Sequence, residues 1–467
     1  MTNRNSKIKN TPAKKERISI KARYDAATTN KNNQKHWSVA DFLSADLDAN
    51  AAVRKELRIR ARYEVQNNSY AKGIVSTLAN ECIGTGARIQ INNAPDAIAT
   101  AIEHDFMSWS KSISLTEKLR TARFSKCVDG ESFLLLTTNN KVDNQIKLDV
   151  QLIDADRVTS TNYSFQEKLV DGITLDAKGN VVSYSVYDEH PSENVLNNIS
   201  TIPAKYIIHL YNVDRAGQHR GVSELAPALE LFGQLRDYTS ATISAAQAAA
   251  CLTGVIQSTI PAGGEAEEVE PLESFQLEQN QLLTLPAGWT IAMNKAEQPT
   301  STYKDFKNEI LSEIARCLNI PYNIAKQNSE NSSYASSRLD TQLFFKTIQL
   351  EQNYFIHNAL ERIFRAWLDE YTLQSKIVIP DFTYSFMFDG NIEHSDPLKI
   401  ANATAVELKN YTTTLAEVYA KKGKNYEAEL RQIAFERSLI KELGLTLNDV
   451  VNESSIDNIE DIENEQQ

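Results

Sequence analysis

A chain of 467 residues, 42% hydrophobic and 24% charged, is long enough for several cores and has the makeup of an ordinary soluble globular protein. Its net charge of −12 disfavours simple tight DNA binding, which relies on basic surfaces against phosphates, yet leaves room for a protein that touches DNA without holding it. No apolar run reaches the roughly 18 residues a membrane span needs, and Cys82, Cys127, Cys251 and Cys317 lack the paired spacing of a zinc site or disulfide framework, which fits a reducing cytoplasm.

Residues 1–35 are rich in Lys, Asn, Thr and Ser, the composition of a disordered tail. Eight Lys or Arg in the first 23 residues, with no apolar core behind them, do not make a signal peptide. From Ala51 to about Leu78 the pattern is helical, with Arg54, Arg58, Arg60 and Arg62 close together. Arg58 and Arg62 share one face, so these arginines read either as phosphate contacts or as a subunit contact. Gly84-Thr85-Gly86 ends the helix, and Arg88–Ile91 restarts as a strand. Helices over about 94–110 and 115–128 follow.

The next stretch is β. Ile146, Leu148, Val150 and Leu152 alternate with polar residues, the period-two mark of a half-buried strand. Gly172–Leu175 and Val181–Tyr187 flank Asp176-Ala177-Lys178-Gly179-Asn180, a hairpin signal. Tyr206–Tyr211 is expected to complete that sheet.

A long helix runs from about Ser223 to Leu252, with small residues in its second half. The pattern then breaks over 253–303, where Pro261, Gly263-Gly264 and the acids Glu265, Glu267, Glu268 and Glu270 mark a small module between two helices. Lys304–Leu318 is helical again and stops at Ile320-Pro321. A polar loop, Lys326-Gln327-Asn328-Ser329-Glu330-Asn331-Ser332, feeds a proline-free run of helix formers from Ser333 to Leu368. About 36 residues at 1.5 Å each predict a rod of roughly 54 Å, several times the usual helix length. A rod this long usually has neighbours along its length, so the chain reads as architecture. Lys376–Phe388 is strand-like, helices resume from Pro397, and an acidic tail closes the chain.

Catalytic motifs are weak. Gly84-Thr85-Gly86 lacks the third glycine of a dinucleotide fingerprint and follows a helix, so a helix-to-strand turn is the better reading. There is no phosphate-binding G-x-x-x-x-G-K-[ST] motif and no H-E-x-x-H. Asp389, Glu393, His394 and Asp396 read as a polar loop rather than a metal cluster. Asp154 and Asp156 read as a turn after a strand, paired with a nearby arginine. The enzyme alternative, a metal-dependent hydrolase or nuclease using Asp154, Asp156 or the 389–396 cluster, predicts turnover lost in Asp156→Ala. A non-viral scaffold is a further alternative, but repeats and heptads are not visible.

Taken in order, several segments resemble the lambda-type portal proteins of tailed bacteriophages. They are Arg60-Ala61-Arg62, Asn67–Gly73, Ile83–Gln90, Asp129-Gly130-Glu131, Ile153–Val158, Ile208-His209-Leu210, Asp214–Ser223, Ile320-Pro321-Tyr322, Asn331–Arg338 and Asp396-Pro397. The resemblance covers about residues 50–445. The chain departs from the pattern at Phe386-Met387-Phe388-Asp389-Gly390, where the family has a tryptophan-rich lead.

The resemblance implies an α+β portal-type fold that assembles as a ring. Its expected parts are a disordered basic tail (1–35), an α/β wing (36–222), a stem helix (223–252), a clip (253–303), a second stem helix (304–320) and a tunnel loop (321–333). A long kinked helix with wing strands (334–396) and a helical crown with an acidic tail (397–467) complete it. It implies no enzyme, cofactor or metal. The implied ring, often of twelve copies, sits at one capsid vertex of the virion, assembled in the bacterial host cytoplasm. Double-stranded DNA passes through it. The implied partners are the terminase large subunit, a head–tail adaptor, and the major capsid and scaffolding proteins, with no membrane. Lys326, Gln327, Asn328, Ser329, Asn331 and Ser332 would face DNA, and Glu265, Glu267, Glu268 and Glu270 would face terminase or adaptor. The portal of a defective prophage or gene-transfer particle fits the same residues.

Overall fold

The computed structural model describes residues 34–160, 169–193, 198–251, 255–258, 289–292, 302–329, 333–375, 381–388, 397–421 and 426–444. The basic tail up to residue 33, the glutamates 265–270, residues 330–332, the 389–396 cluster and the acidic tail from 445 lie outside the described residues.

One turn of helix, α1 (Ala45–Asp48), precedes α2 (Ala51–Asn67) and α3 (Ser69–Ile83). The single helix expected over 51–78 is therefore two, broken at Asn68. The Asn68 Oδ1 accepts from Tyr70 N (3.0 Å) and Ala71 N (3.4 Å), capping α3, while its own N–H donates to Glu64 O and closes α2. Asparagine competes with the helix backbone in this way and so favours caps over interiors. Gly84 (φ +54°) and Gly86 (φ +106°) then make the expected turn into β1 (Ala87–Asn92). Helices α4 (Asp96–Ser112) and α5 (Leu115–Asp129) follow close to their expected bounds.

Seven strands come next: β2 (Glu131–Thr138), β3 (Leu148–Ile153), β4 (Leu169–Val170), β5 (Ile173–Leu175), β6 (Val181–Tyr187), β7 (Ile199–Pro203) and β8 (Ile207–Tyr211). They form two antiparallel sheets, ordered β3–β2–β8 and β4–β5–β6–β7. The β5–β6 hairpin is the one expected, its turn held by Asp176, whose Oδ1 accepts from Lys178 N (2.7 Å) and Asn180 N (2.8 Å). Tyr206–Tyr211 joins the sheet of β3 as expected, pairing with β2, Glu131 opposite Tyr211, but the hairpin belongs to a separate sheet. Strand β2 itself went unread, because both its faces are buried and its Phe-Leu-Leu-Leu run shows no alternation.

The second half opens with α6 (Leu229–Cys251), followed by a two-stranded antiparallel ribbon of β9 (Val255–Ser258) and β10 (Trp289–Ala292). Helices α7 (Thr302–Cys317), α8 (Tyr322–Lys326) and α9 (Tyr334–Phe355) follow. Ser333 caps α9, its Oγ accepting from Ser336 N (3.3 Å). The expected rod forms and runs on past Leu368, through a π turn at Ile356–Leu360 into α10 (Glu361–Ser375). A π turn is a recognised cause of irregularity in a long helix. Strand β11 (Thr383–Phe388) pairs antiparallel with β1, Ala87 opposite Phe388. Helices α11 (Pro397–Lys409), α12 (Leu415–Lys421) and α13 (Tyr426–Glu442) end the described chain.

Three apolar clusters hold these elements. The first joins α4, α10, β1 and β11 through aromatic rings. Phe106 meets Phe364 edge-on at 5.2 Å and Trp367 at 5.3 Å, and Trp109 Nε1 donates to Leu148 O at 2.9 Å. The second packs α2, α3, α6, α7 and α9 around residues such as Val75, Phe232, Ile314 and Phe344. The third fills the space between the two sheets, around Phe133, Ile173 and Tyr184. Burial of each large side chain is worth about 1.5–3 kcal/mol, so the long-range β1–β11 closure is an apolar event.

Candidate functional site

Helix α2 is inside out. Its buried face carries Arg54, Arg58, Ala61, Glu64 and Val65, and Arg54, Arg58 and Arg62 turn into a charged cluster while Arg60 stays exposed beside Glu56. At the centre is Glu131, fully buried at the start of β2. It accepts from Arg220 Nε (2.9 Å) and Nη2 (2.5 Å), Arg58 Nη1 (3.3 Å), His209 Nε2 (3.2 Å) and Gly221 N (3.1 Å). Burial alone would raise this carboxyl. Arg220, followed by His209, overrules it and holds Glu131 well below the usual carboxylate range.

Arg220 also donates through Nη1 to Val158 O (3.0 Å) and to the Asp171 carbonyl. Arg54 donates to Asp171 and to Ala49 O, and burial, together with the nearby Arg220 charge, lowers its pKa to about 10. His209 is stacked between Phe133 and Tyr211, both at 4.2 Å, and burial depresses it below its ordinary value.

Around this centre Arg62 spans three carboxylates: Asp129 Oδ1 (2.6 Å), Asp156 Oδ2 (2.7 Å) and Asp154 Oδ1 (3.1 Å). Arg58 Nε reaches Asp156 Oδ1 at 3.0 Å. The arginines singled out for phosphates or a neighbouring subunit are thus engaged with carboxylates of their own chain. Arg157, the nearest arginine in sequence to the aspartates, instead donates to Tyr187 O (2.8 Å) and Asp188 O (2.7 Å).

Asp154, Asp156 and His190 place one ligand atom each within 4.8 Å of one another. The donor set does not fit a divalent cation, because the Arg58 and Arg62 guanidiniums already neutralise the two carboxylates and would repel the metal. Asp154 Oδ1 also accepts from Asp156 N (2.8 Å), the turn-making role its sequence suggested.

A second charge cluster ties α5 and α9 to the segment before α6. Glu224 pairs with Arg123 (3.1 Å) and Lys126 (3.2 Å) and accepts from Asn212 Nδ2 (3.0 Å). Glu351 on α9 takes Lys126 (3.1 Å) and Arg123 (3.2 Å) from the other side. Burial pushes Glu224 up, but Arg123 and then Lys126 outweigh it and hold its pKa down to about 2. Sequence reasoning missed Arg123, Lys126, Glu224 and Glu351 altogether. No spacing links residues that meet across 98 to 225 positions.

The remaining candidates sit on a different feature. Helices α6 and α7 pair through Tyr238, which stacks on Tyr303 (5.7 Å) and meets Phe306 edge-on (4.7 Å), and the β9–β10 ribbon lies between them in sequence. After α7 the chain turns at Pro321 into α8. Lys326 Nζ donates to Asn308 Oδ1 (3.1 Å) and lies 5.4 Å above the Tyr322 ring, so this cation is partly held at the root of the loop. Gln327 is left-handed (φ +51°), and Gln327, Asn328 and Ser329 are exposed. Asn323 Nδ2 donates to Ser337 Oγ (3.0 Å), tying the loop's root to α9. Asn331 and Ser332 lie outside the described residues.

The sequence model of the phage portal proteins, lambda family, matches residues 32–352. The chain is 23% identical over 439 residues to a probable portal protein of Halomonas phage phiHAP-1, covering 85% of this chain and 83% of that one. Among solved structures it matches a chain in the neck of an empty GTA (gene transfer agent) particle computed with C6 symmetry. The identity is 13% and the TM-score 0.52, over 78% of this chain and 92% of that chain.

Proposed function

Since the chain belongs to the lambda family of phage portal proteins, we propose that it works as a ring at one vertex of the capsid, the channel through which double-stranded DNA enters and leaves. Terminase docks on the ring during packaging and a head–tail adaptor replaces it afterwards. The observation that carries this reading is the passage of the chain along α6, through the β9–β10 ribbon and back along α7, followed after the short α8 by a polar loop that leads into the long helix α9. In this assignment α6 and α7 are the stem, 253–303 the clip, 321–333 the tunnel loop and 397–467 the crown. The α/β body, 36–222 with 334–396, is the wing.

The chemistry of the loop suits sliding. Attraction to phosphates would hold a duplex in place. Gln327, Asn328 and Ser329 offer neutral amide and hydroxyl groups, and Lys326 is engaged at Asn308. The two buried charge clusters supply rigidity at the root of the stem. They lock α2, α5, α9 and the strand ends together, so a load on the stem is carried into the wing. The glutamates of the clip present negative charge to basic surfaces of terminase or adaptor.

Negative-stain imaging with native mass spectrometry of the purified chain tests the assignment. Closed rings with a central hole, near twelve copies, are expected, and a compact dimer with no ring under any condition overturns it. The likeness to a gene transfer agent neck favours a second reading, in which the same ring serves a gene-transfer particle. Sequencing the DNA inside purified particles separates the two, since such a particle carries fragments of the host genome and a phage carries its own.

A further inference from the structure

Arg54, Arg58 and Arg62 of α2 turn toward the carboxylates, and its outward face mixes apolar side chains with Lys55, Glu56 and Arg60. Ile59 is 52% exposed, and Val53 is exposed nearly two turns earlier. The segment before it behaves alike. Polar anchors fix it to the loop before Arg220: Asp46 accepts from His219 N (2.9 Å) and contacts its Nδ1 (2.8 Å), while Arg215 donates to Asp48 (3.1 Å) and Leu43 O (2.9 Å). Yet Val39 is 90% exposed and Phe42 is wholly so. A segment pinned by hydrogen bonds with its large apolar groups facing away from its own body is shaped to be covered. The polar, basic residues 1–33 have few large apolar side chains with which to cover it.

A second stripe lies elsewhere. On α9, Leu339, Leu343 and Leu350 fall on one side of the helix and are exposed, Leu350 by 71%, while Phe344, Ile348 and Phe355 are buried. Helix α3 is packed by both α2 and α9, so the two exposed stripes belong to different flanks of one helical layer. A closed ring needs such a pair: two unlike surfaces on each copy, one meeting the other on the next copy around.

We propose that the occupant of the 34–67 face is a second copy of this chain, whose α9 stripe seats Leu339, Leu343 and Leu350 against Phe42 and Ile59. The pairing rests on the ring assignment above and adds which two faces meet.

The test uses two full-length variants, each dead on one face: Phe42→Asp/Ile59→Asp and Leu339→Asp/Leu343→Asp. Circular dichroism and thermal melts check that both fold like the parent, as exposed positions should. Each variant alone is expected to run as a 52.4 kDa monomer in native mass spectrometry. An equimolar mixture is expected to give a 1:1 dimer and nothing larger, because only one intact pair of faces remains. Rings formed by either variant alone, or a mixture that stays monomeric, overturn the pairing and leave the ring assignment intact. A parent chain that forms no ring, alone or co-expressed with the capsid and scaffolding proteins, overturns the ring assignment and the pairing with it. If a variant misfolds, the pairing is read from Ile59→Cys/Leu343→Cys. Oxidation should link this variant into a ladder of multimers, and a band that stays monomeric overturns the proposal.

Discussion

The Arg220 guanidinium forks onto the Glu131 carboxylate through two hydrogen bonds, Nε to Oε2 at 2.9 Å and Nη2 to Oε1 at 2.5 Å, with both side chains out of contact with water. A bidentate pair in this setting fixes orientation as well as charge. It clamps the segment before α6 onto the first residue of β2, and Arg58 and His209 extend the clamp to α2 and β8. Helix α6 therefore leaves a body whose charges are already matched at the point of departure.

Removing the central acid should expose that dependence. In Glu131→Gln the Arg220 charge loses its bidentate counterion and Arg58 one of its two, and an uncompensated buried charge costs about 3–5 kcal/mol. Urea unfolding is expected to shift to a much lower midpoint, with poor soluble yield. Arg60→Ala, which removes only an exposed pair to Glu56, is the control and should change stability by less than about 1 kcal/mol. Equal midpoints for the two variants would show that the cluster is not what holds the body together.

The same junction demands glycine. A Cβ on Gly221 would lie 2.1 Å from Gly130 O and 2.8 Å from the Tyr211 Cβ, and a Cβ on Gly130 would lie 2.3 Å from the Val222 carbonyl carbon. Two backbones pass each other here with no space for a methyl group. Gly221→Ala is expected to destabilise by roughly 3 kcal/mol, at the upper end for overpacking, because backbone cannot step aside. Gly179→Ala has open space around it and only its left-handed backbone (φ +87°) to strain, so it should cost about 1 kcal/mol. Thermal melts of the two side by side decide the ordering.

Acid should loosen the molecule in two stages. His209 is depressed in the folded state, so the unfolded chain takes the proton first and stability begins to fall as pH drops below about 6.5. Glu224 is held at about 2 against an ordinary 4.5, so its contribution is present above pH 4.5 and is lost as pH falls toward 2. That contribution is on the order of 3 kcal/mol. His209→Gln should remove the first stage. Glu224→Gln should flatten the second, starting from a lower stability because Arg123 and Lys126 lose a partner. Melting temperatures measured from pH 8 to 3 test both. An acid limb in Glu224→Gln as steep as in the parent chain would refute the assignment.

What the sequence displayed and what it hid divide along physical lines. Helices such as α4, α5 and α7 bury one face, so the 3.6-residue period betrays them, and the β5–β6 turn carries its own chemistry in Asp176 and Gly179. Strand β2 is buried on both faces and has no period to read. The partner of Tyr206–Tyr211 depends on which strand passes nearby, a property of topology rather than of those six residues. Arg58 and Arg62 were visible as a pair on one helix face. Their ligands are remote: Glu131 lies 73 positions from Arg58, and Asp156 lies 94 from Arg62. A charge with a distant counterion looks in sequence like a charge awaiting a partner outside the chain.

The tunnel-loop assignment makes a prediction that separates passage from assembly. The root of the loop is fixed by Asn323 to Ser337, by Lys326 to Asn308 and by Asn328 N to Asn323 O (3.1 Å), so a deletion of 328–332 keeps the two side-chain anchors and gives up one backbone bond. Deleting Asn328–Ser332 should leave ring formation and melting temperature unchanged while lowering the amount of DNA packaged or retained per head. Lys326→Ala loses both the Asn308 bond and the contact over Tyr322, and is expected to cost less than about 1 kcal/mol in stability, since the group is only half-buried. It should alter DNA retention less than the deletion does, because its charge is already engaged. Packaging assays on particles assembled with each variant, scored as DNA mass per head, give the answer. Full packaging and retention with the five residues removed would mean that the duplex is steadied elsewhere in the channel.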